Sequence, residues 1–122
     1  MNLSKDLMAA SSTPLVLGIL ADGESYGYDI AKRVEQLSGG ALNWTDGMLY
    51  PLLHRLEQQG LLAARWRVAD SGRKRKYYAL TEQGMNSLRE QRHQWQLITQ
   101  TLNRVWDDAQ QVQGVDGHGQ FA

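Results

Sequence analysis

The chain is 122 residues long, 42% hydrophobic, and carries 13 basic against 13 acidic residues for a formal net charge of zero: room for one domain with a small core, and no bulk attraction for polyanions. It holds no cysteine, which excludes disulfides, thiolate nucleophiles and cysteine-based zinc sites and agrees with a reducing cytoplasm. The zero average conceals a polarity, because residues 46–80 carry seven Lys/Arg against Asp46, Glu57 and Asp70, a net +4 that leaves −4 for the remainder.

Residues 1–12 read as an N-terminal extension with room for a helical turn or two. Thr13-Pro14 reads as an N-cap followed by proline at the first helical position, with Gly23 stopping the helix after Ala21 and Asp22. This first helix is apolar almost all round and should be buried. Its run Pro14–Ala21 follows only Lys5 and Asp6 and leads into Asp22-Gly23-Glu24, not into a small-residue cleavage site, so no secretory signal is expected. It is also far shorter than the roughly 20 residues that span a bilayer; no membrane partner and a cytoplasmic location are expected.

Ser25 can cap a second helix to about Leu37, with Tyr28, Ala31, Val34 and Leu37 inward and Gly39-Gly40 ending it. Tyr26 and Tyr28 read as packing residues. Residues 41–44, "ALNW", allow one short extended stretch. Thr45 then caps a third helix that Gly60 ends. Leu49, Leu52, Leu53 and Leu56 stand at i, i+3, i+4 and i+7 on its inner face. The opposite stripe is Gly47, Tyr50, Pro51, His54 and Gln58. Pro51 removes a backbone donor inside the helix, and the helix N-terminus offers free N–H groups to a phosphate.

Leu62 to Val68 switches to period two, with Leu62, Ala64, Trp66 and Val68 on the half-buried face. Lys74 to Leu80 is a second strand, and "ADSGR" between them is turn-rich, which predicts a hairpin with a basic arm, Arg73-Lys74-Arg75-Lys76. Trp44, Trp66 and Trp106 read as core or interface. From Thr81 a long helix reaches about Ala109, where Met85, Leu88, Trp95, Leu102 and Val105/Trp106 recur at spacings near three and four. Residues 110–122 hold three glycines without periodicity and read as a flexible tail.

Helices followed by a basic hairpin describe a winged helix-turn-helix: mainly α with a small β-hairpin, the third helix entering the DNA major groove, plus a long C-terminal dimerisation helix. The domains are then 1–80 for DNA binding, 81–109 for dimerisation and 110–122 as tail. A helix of nearly thirty residues cannot hide a Leu/Trp stripe on a domain of about seventy whose core is already supplied. A second copy is the expected cover.

"YGYDI" (26–30), "GMLYPLLHRLEQQGLL" (47–62) and "GRKRKYYALTEQG" (72–84) together resemble the signature of PadR-family transcriptional regulators, over roughly residues 13–106. The resemblance implies a cytoplasmic homodimeric repressor of the single-C-terminal-helix layout, with Tyr50 and Pro51 in the recognition helix and Arg73 to Lys76 in the wing. On that basis Asp46, Tyr50 and His54 reach base edges beside the close approach at Gly47, and Arg55, Lys32 and Arg33 meet phosphates. Arg73, Lys74, Arg75 and Lys76 lie along the minor groove. Duplex DNA bearing an inverted repeat is the expected partner. The interface would comprise Met85, Leu88, Trp95, Leu102, Val105 and Trp106. Trp95 has two readings, plain interface packing and, by the resemblance, a platform for a small aromatic or hydrophobic effector.

Two rivals frame this reading. An enzyme lacks support, since His54, His93 and His118 are scattered and there is no metal-ligand spacing, paired-carboxylate motif or phosphate loop; no catalytic residue, metal or cofactor is expected. A winged helix used only for protein contacts is the other alternative.

Overall fold

The computed structural model describes residues 3–116, in the order α1 (Lys5–Leu20), β1 (Ser25–Tyr26), α2 (Gly27–Leu37), α3 (Asp46–Gln58), β2 (Leu62–Val68), β3 (Lys74–Leu80) and α4 (Glu82–Asp116). The chain divides into two compact units, residues 1–89 and Glu90 onward. No helix among the described residues is long and apolar enough to cross a membrane.

In the first unit, Val16, Leu17 and Leu20 of α1, Ile30 and Val34 of α2, and Leu49, Leu52, Leu53 and Leu56 of α3 close on Leu62 and Tyr78 of the sheet. Leu42 and Trp44, from the α2–α3 connection, join the same core. The four leucines of α3 are buried as their spacing requires. Thr45 caps that helix, its Oγ1 accepting from the Met48 N–H at 3.3 Å.

Three local expectations are corrected. The first helix starts at Lys5, not at Pro14: Ser4 is the N-cap, its side chain accepting from the Leu7 N–H at 3.2 Å, and Pro14 lies inside the helix. One proline removes a single donor, and Met8 and Ser12 extend the inward face far enough to hold the added turns. Second, the short strand is Ser25–Tyr26 and not residues 41–44. It pairs antiparallel with β3, Ser25 opposite Tyr78 and Tyr26 opposite Tyr77. Ser25 does not cap α2; its hydroxyl donates to the Asp29 carboxylate at 2.6 Å. Third, Tyr28 and Leu37 are exposed; of the residues expected inward Val34 is buried and Ala31 packs against the core, and Gly27 and Ile30 are buried beside them. At about 100° per residue Tyr28 falls on the far side of the helix from Ile30, whereas Leu37 shares the Ile30 face but is the last residue of α2.

The sheet order is β1-β3-β2. β2 and β3 pair from Leu62 opposite Leu80 to Val68 opposite Lys74. Their inner face begins as core, with Leu62 and Tyr78, but its outer half outruns the helices: Trp66 is 67% exposed and Val68 65%, not half-buried as their alternation predicts. Alternation reports which face a residue takes, not whether anything covers it.

α4 is pinned at its start. Thr81 donates from Oγ1 to the Gly60 and Leu61 carbonyls at 2.7 and 3.0 Å, and the same oxygen accepts from the Gly84 N–H at 2.9 Å. Gly84 is buried so closely that a Cβ there would overlap the Leu61 carbonyl oxygen. Leu88, expected in the dimer seam, packs against the core of its own chain, and Met85 is half-buried. The helix runs to Asp116 instead of ending near Ala109, since the Gln/Val run 110–113 tolerates helix and Gly114 costs only about 1 kcal/mol. Residues 117–122 of the expected tail lie outside the described residues.

Gly84→Ala should therefore lower unfolding free energy by about 1–3 kcal/mol, the range for overpacking, measured by denaturant unfolding. An unchanged midpoint would mean that the first turn of α4 shifts without resistance.

Candidate nucleic-acid interface

Burying the leucine face of α3 forces its other stripe outward. Gly47, Tyr50, Pro51, His54 and Gln58 are all exposed, as are Asp46 and Arg55. Pro51 is the sixth residue of α3, so it leaves the Gly47 carbonyl without its intrahelical donor. A Cβ added at Gly47 would meet nothing closer than Thr45 Oγ1, at 3.9 Å. Nothing in this chain requires glycine there, although glycine weakens a helix by about 1 kcal/mol against alanine. The clearance faces solvent.

Tyr50 is placed by contact with a second element. A Cβ on Gly27, at the first turn of α2, would lie 2.8 Å from the Tyr50 hydroxyl oxygen and ring edge. The phenol thus rests on the bare backbone of Gly27. Tyr26, Tyr28, Asp46 and Tyr50 line a cleft of about 450 Å³ together with Trp66 of β2 and the stretch of the wing from Arg73 to Lys76. Tyr28 and Trp66, read from sequence as packing residues, are surface groups in this cleft. Exposure of large aromatics beside free cations would have been the signal, and exposure is invisible without the fold.

Of the seven cations of the basic segment, Arg55 is exposed on α3, and the other six divide into two classes. Arg65 donates to both oxygens of Glu24 at 3.0 and 2.7 Å, and Arg67 donates to the same carboxylate at 2.5 Å. Hydrogen bonding from Arg65 holds the Glu24 carboxyl below its usual range, with the charges of Arg65 and Arg67 adding to it and partial burial opposing it. Lys76 donates to Glu57 of α3 at 3.1 Å. Burial works against the Lys76 ammonium, yet the hydrogen bond to Glu57 and the nearby Glu57 and Tyr78 raise its pKa above the ordinary value. The sequence groups Lys76 with the DNA-contacting wing; in the structure it bolts the wing to α3.

Arg73, Lys74 and Arg75 have no acidic partner among the described residues. Arg75 lies over the Tyr26 ring at 4.4 Å and Arg67 over the Tyr77 ring at 4.7 Å, with the two tyrosines edge to face at 5.3 Å. Such contacts stiffen the outer face of the sheet while leaving the Arg75 charge intact. Of the flanking cations, Lys32 is exposed and Arg33 is paired with Asp22 at 3.1 Å. His54 and Gln58 continue the stripe beside the Glu57–Lys76 pair. The arrangement offers a helix with an exposed stripe and a cleared first turn, flanked by the three uncompensated cations of the wing. No group of His, Asp and Glu among the described residues could hold a metal ion.

Comparison with known proteins agrees with this geometry. The model of the transcriptional regulator PadR-like family matches residues 16–90. The chain is 36% identical over 88 residues to the transcriptional regulator YqjI of Escherichia coli, covering 72% of this chain and 41% of that protein. It is 29% identical over 93 residues to the negative transcriptional regulator PadR of Bacillus subtilis, covering 76% of this chain and 49% of that one. It thus spans less than half the length of either relative. The crystal structure of a PadR family transcriptional regulator from Eggerthella lenta superposes with a TM-score of 0.72 at 34% identity, over 83% of this chain and 86% of that one.

The Glu24 clamp can be tested in isolation. A carboxylate whose pKa is depressed by folding contributes stability that is full above its unfolded value and lost as pH falls through the folded one. Glu24→Gln should therefore speed amide exchange across Arg65–Val68 and Lys74–Tyr77 several-fold at neutral pH. The difference from the parent protein should close as acid protonates Glu24; equal exchange at neutral pH would mean that the clamp does not order the wing.

Proposed function

The chain belongs to the PadR-like family of transcriptional regulators, and from that premise we propose that it is a cytoplasmic homodimeric repressor that binds an inverted-repeat operator through α3 and the β2–β3 wing. The observation that carries the reading is the single cleft shared by Asp46 and Tyr50 of α3 and the unpaired Arg73, Lys74 and Arg75. Direct readout needs side chains on a helix that fits the major groove, and Asp46, Tyr50 and His54 are exposed groups of α3 with hydrogen-bonding capacity. Positioning needs cations on phosphates, supplied by the wing with Arg55 and Lys32. Arg33 and Lys76, already paired, take a lesser part.

Dimerisation rests on α4. In the second unit Ile98, Leu102, Val105 and Trp106 remain exposed, Leu102 at 40%, and Trp95 is half-buried. Ile98 joins the stripe expected from sequence. A contiguous apolar stripe of this length on a single helix calls for a second copy, and a two-fold dimer presents its recognition helices to half-sites spaced by whole helical turns of about 34 Å. Relief of repression by a small aromatic ligand at Trp95 belongs to the same proposal.

Incubating the protein with sheared genomic DNA and sequencing the bound fragments at two salt concentrations tests the function. A few enriched inverted repeats are expected; uniform or absent recovery would favour a protein-contact module. On the recovered operator, replacing Arg73, Lys74 and Arg75 by alanine removes three cations from each half of the dimer and should weaken binding and flatten the log–log salt dependence by about five. An unchanged slope would remove the wing from the interface. Leu102→Asp should yield monomers by light scattering at micromolar concentration with the first unit still folded; a persistent dimer would place the interface elsewhere.

A further inference from the structure

Trp66 and Val68 are the largest apolar side chains left bare on the sheet, and the register explains why they stand together. Val68 is opposite Lys74 and Trp66 opposite Lys76, so all four share the inner face, the one whose base carries Leu62 and Tyr78 in the core. Lys76 reaches from that face to Glu57 of α3. The exposed indole is therefore turned to the side of the recognition helix, and it lines the same cleft as Tyr50. No ring or cation stacks on Trp66 among the described residues.

We propose that Trp66 and Val68 form an apolar contact for duplex DNA, packed against deoxyribose and base edges where the wing meets the groove. The inference rests on the DNA-binding reading above and adds to it a contact that carries no charge. The surroundings select this occupant. Trp66, Val68 and Lys74 bound a shallow apolar pocket with Arg67 at its edge, and Arg73 and Lys74 beside it have no acidic partner among the described residues. A second copy of this chain would bring the same cations against themselves. A sugar-phosphate backbone satisfies both features at once, phosphates on the cations and the apolar sugar faces on the indole. Phosphate contacts release counterions and an apolar contact does not, so the two are separable by salt.

The experiment uses the full chain and its recovered operator duplex, with affinity measured by fluorescence anisotropy over a series of salt concentrations. Trp66→Ala should weaken binding about tenfold, the effect of losing roughly 50–60 Å² of apolar burial, with the slope against log salt unchanged. Lys74→Ala, present in both protomers of the dimer, should reduce that slope by about two. Trp66→Phe should recover most of the loss, and Val68→Ser should reproduce a smaller version of it, which keeps the test open if Trp66→Ala folds poorly. Full affinity in Trp66→Ala, or a lost affinity accompanied by a flatter slope or an altered oligomeric state, would overturn the proposal. A parent protein that binds no duplex at low salt would overturn the DNA-binding reading as well, whereas tight parental binding with an indifferent Trp66 overturns this inference alone.

Discussion

Tyr78 sits in the middle of β3 with 1% of its surface exposed, paired in register with Ser25 on one side and Ala64 on the other. Its burial raises the phenol pKa, keeping it neutral, and its ring forms the floor against which the helices close. Everything at the interface depends on this central strand. Toward its C-terminus, Leu80 and Thr81 deliver the chain to the junction with Gly60, Leu61 and Gly84; toward its N-terminus, Tyr77 and Lys76 lead out to the wing. A strand gripped on both edges can carry an exposed hairpin tip that a two-stranded ribbon alone would leave loose in water.

Electrostatics then decides what that tip offers. Glu24 takes up Arg65 and Arg67, and Glu57 takes up Lys76. These exposed pairs add little stability one by one, but each joins elements distant in sequence, and the Glu57–Lys76 pair orients the wing relative to α3. Arg73, Lys74 and Arg75 remain uncompensated at the end of the hairpin. A chain of zero net charge thereby presents a local positive edge, the form of electrostatics that acts within a Debye length of about 10 Å and not by bulk attraction.

Helix α3 shows the opposite side of the same logic. Gly47 and Pro51 both weaken a helix, and no contact within the chain explains either. The four buried leucines hold α3 in place despite them. Local weakness on the outer stripe is thus tolerated because the inner stripe supplies the stability, leaving an exposed first turn whose Gly47 carbonyl lacks its usual intrahelical donor.

Much of this was legible in the residues themselves. The 3.6-residue period of Leu49, Leu52, Leu53 and Leu56 determined both the buried and the outward face of α3, since a helix has only one rotation that buries four leucines. Period two determined the hairpin strands, and segments 26–30, 47–62 and 72–84 together identified the family. Three matters lay beyond the residues. The pairing of Ser25–Tyr26 with β3 is a contact across more than fifty positions, with no periodic trace in two residues. The side chains that bound the cleft, Tyr28 and Trp66, depend on how far the core reaches, and alternation assigns a face without saying whether it is covered. The sorting of cations into paired and free depends on where Glu24 and Glu57 come to rest. Local pattern determines the elements because it follows from backbone geometry repeated every few residues; exposure and charge pairing belong to tertiary structure, because both are set by neighbours that the chain brings together only on folding.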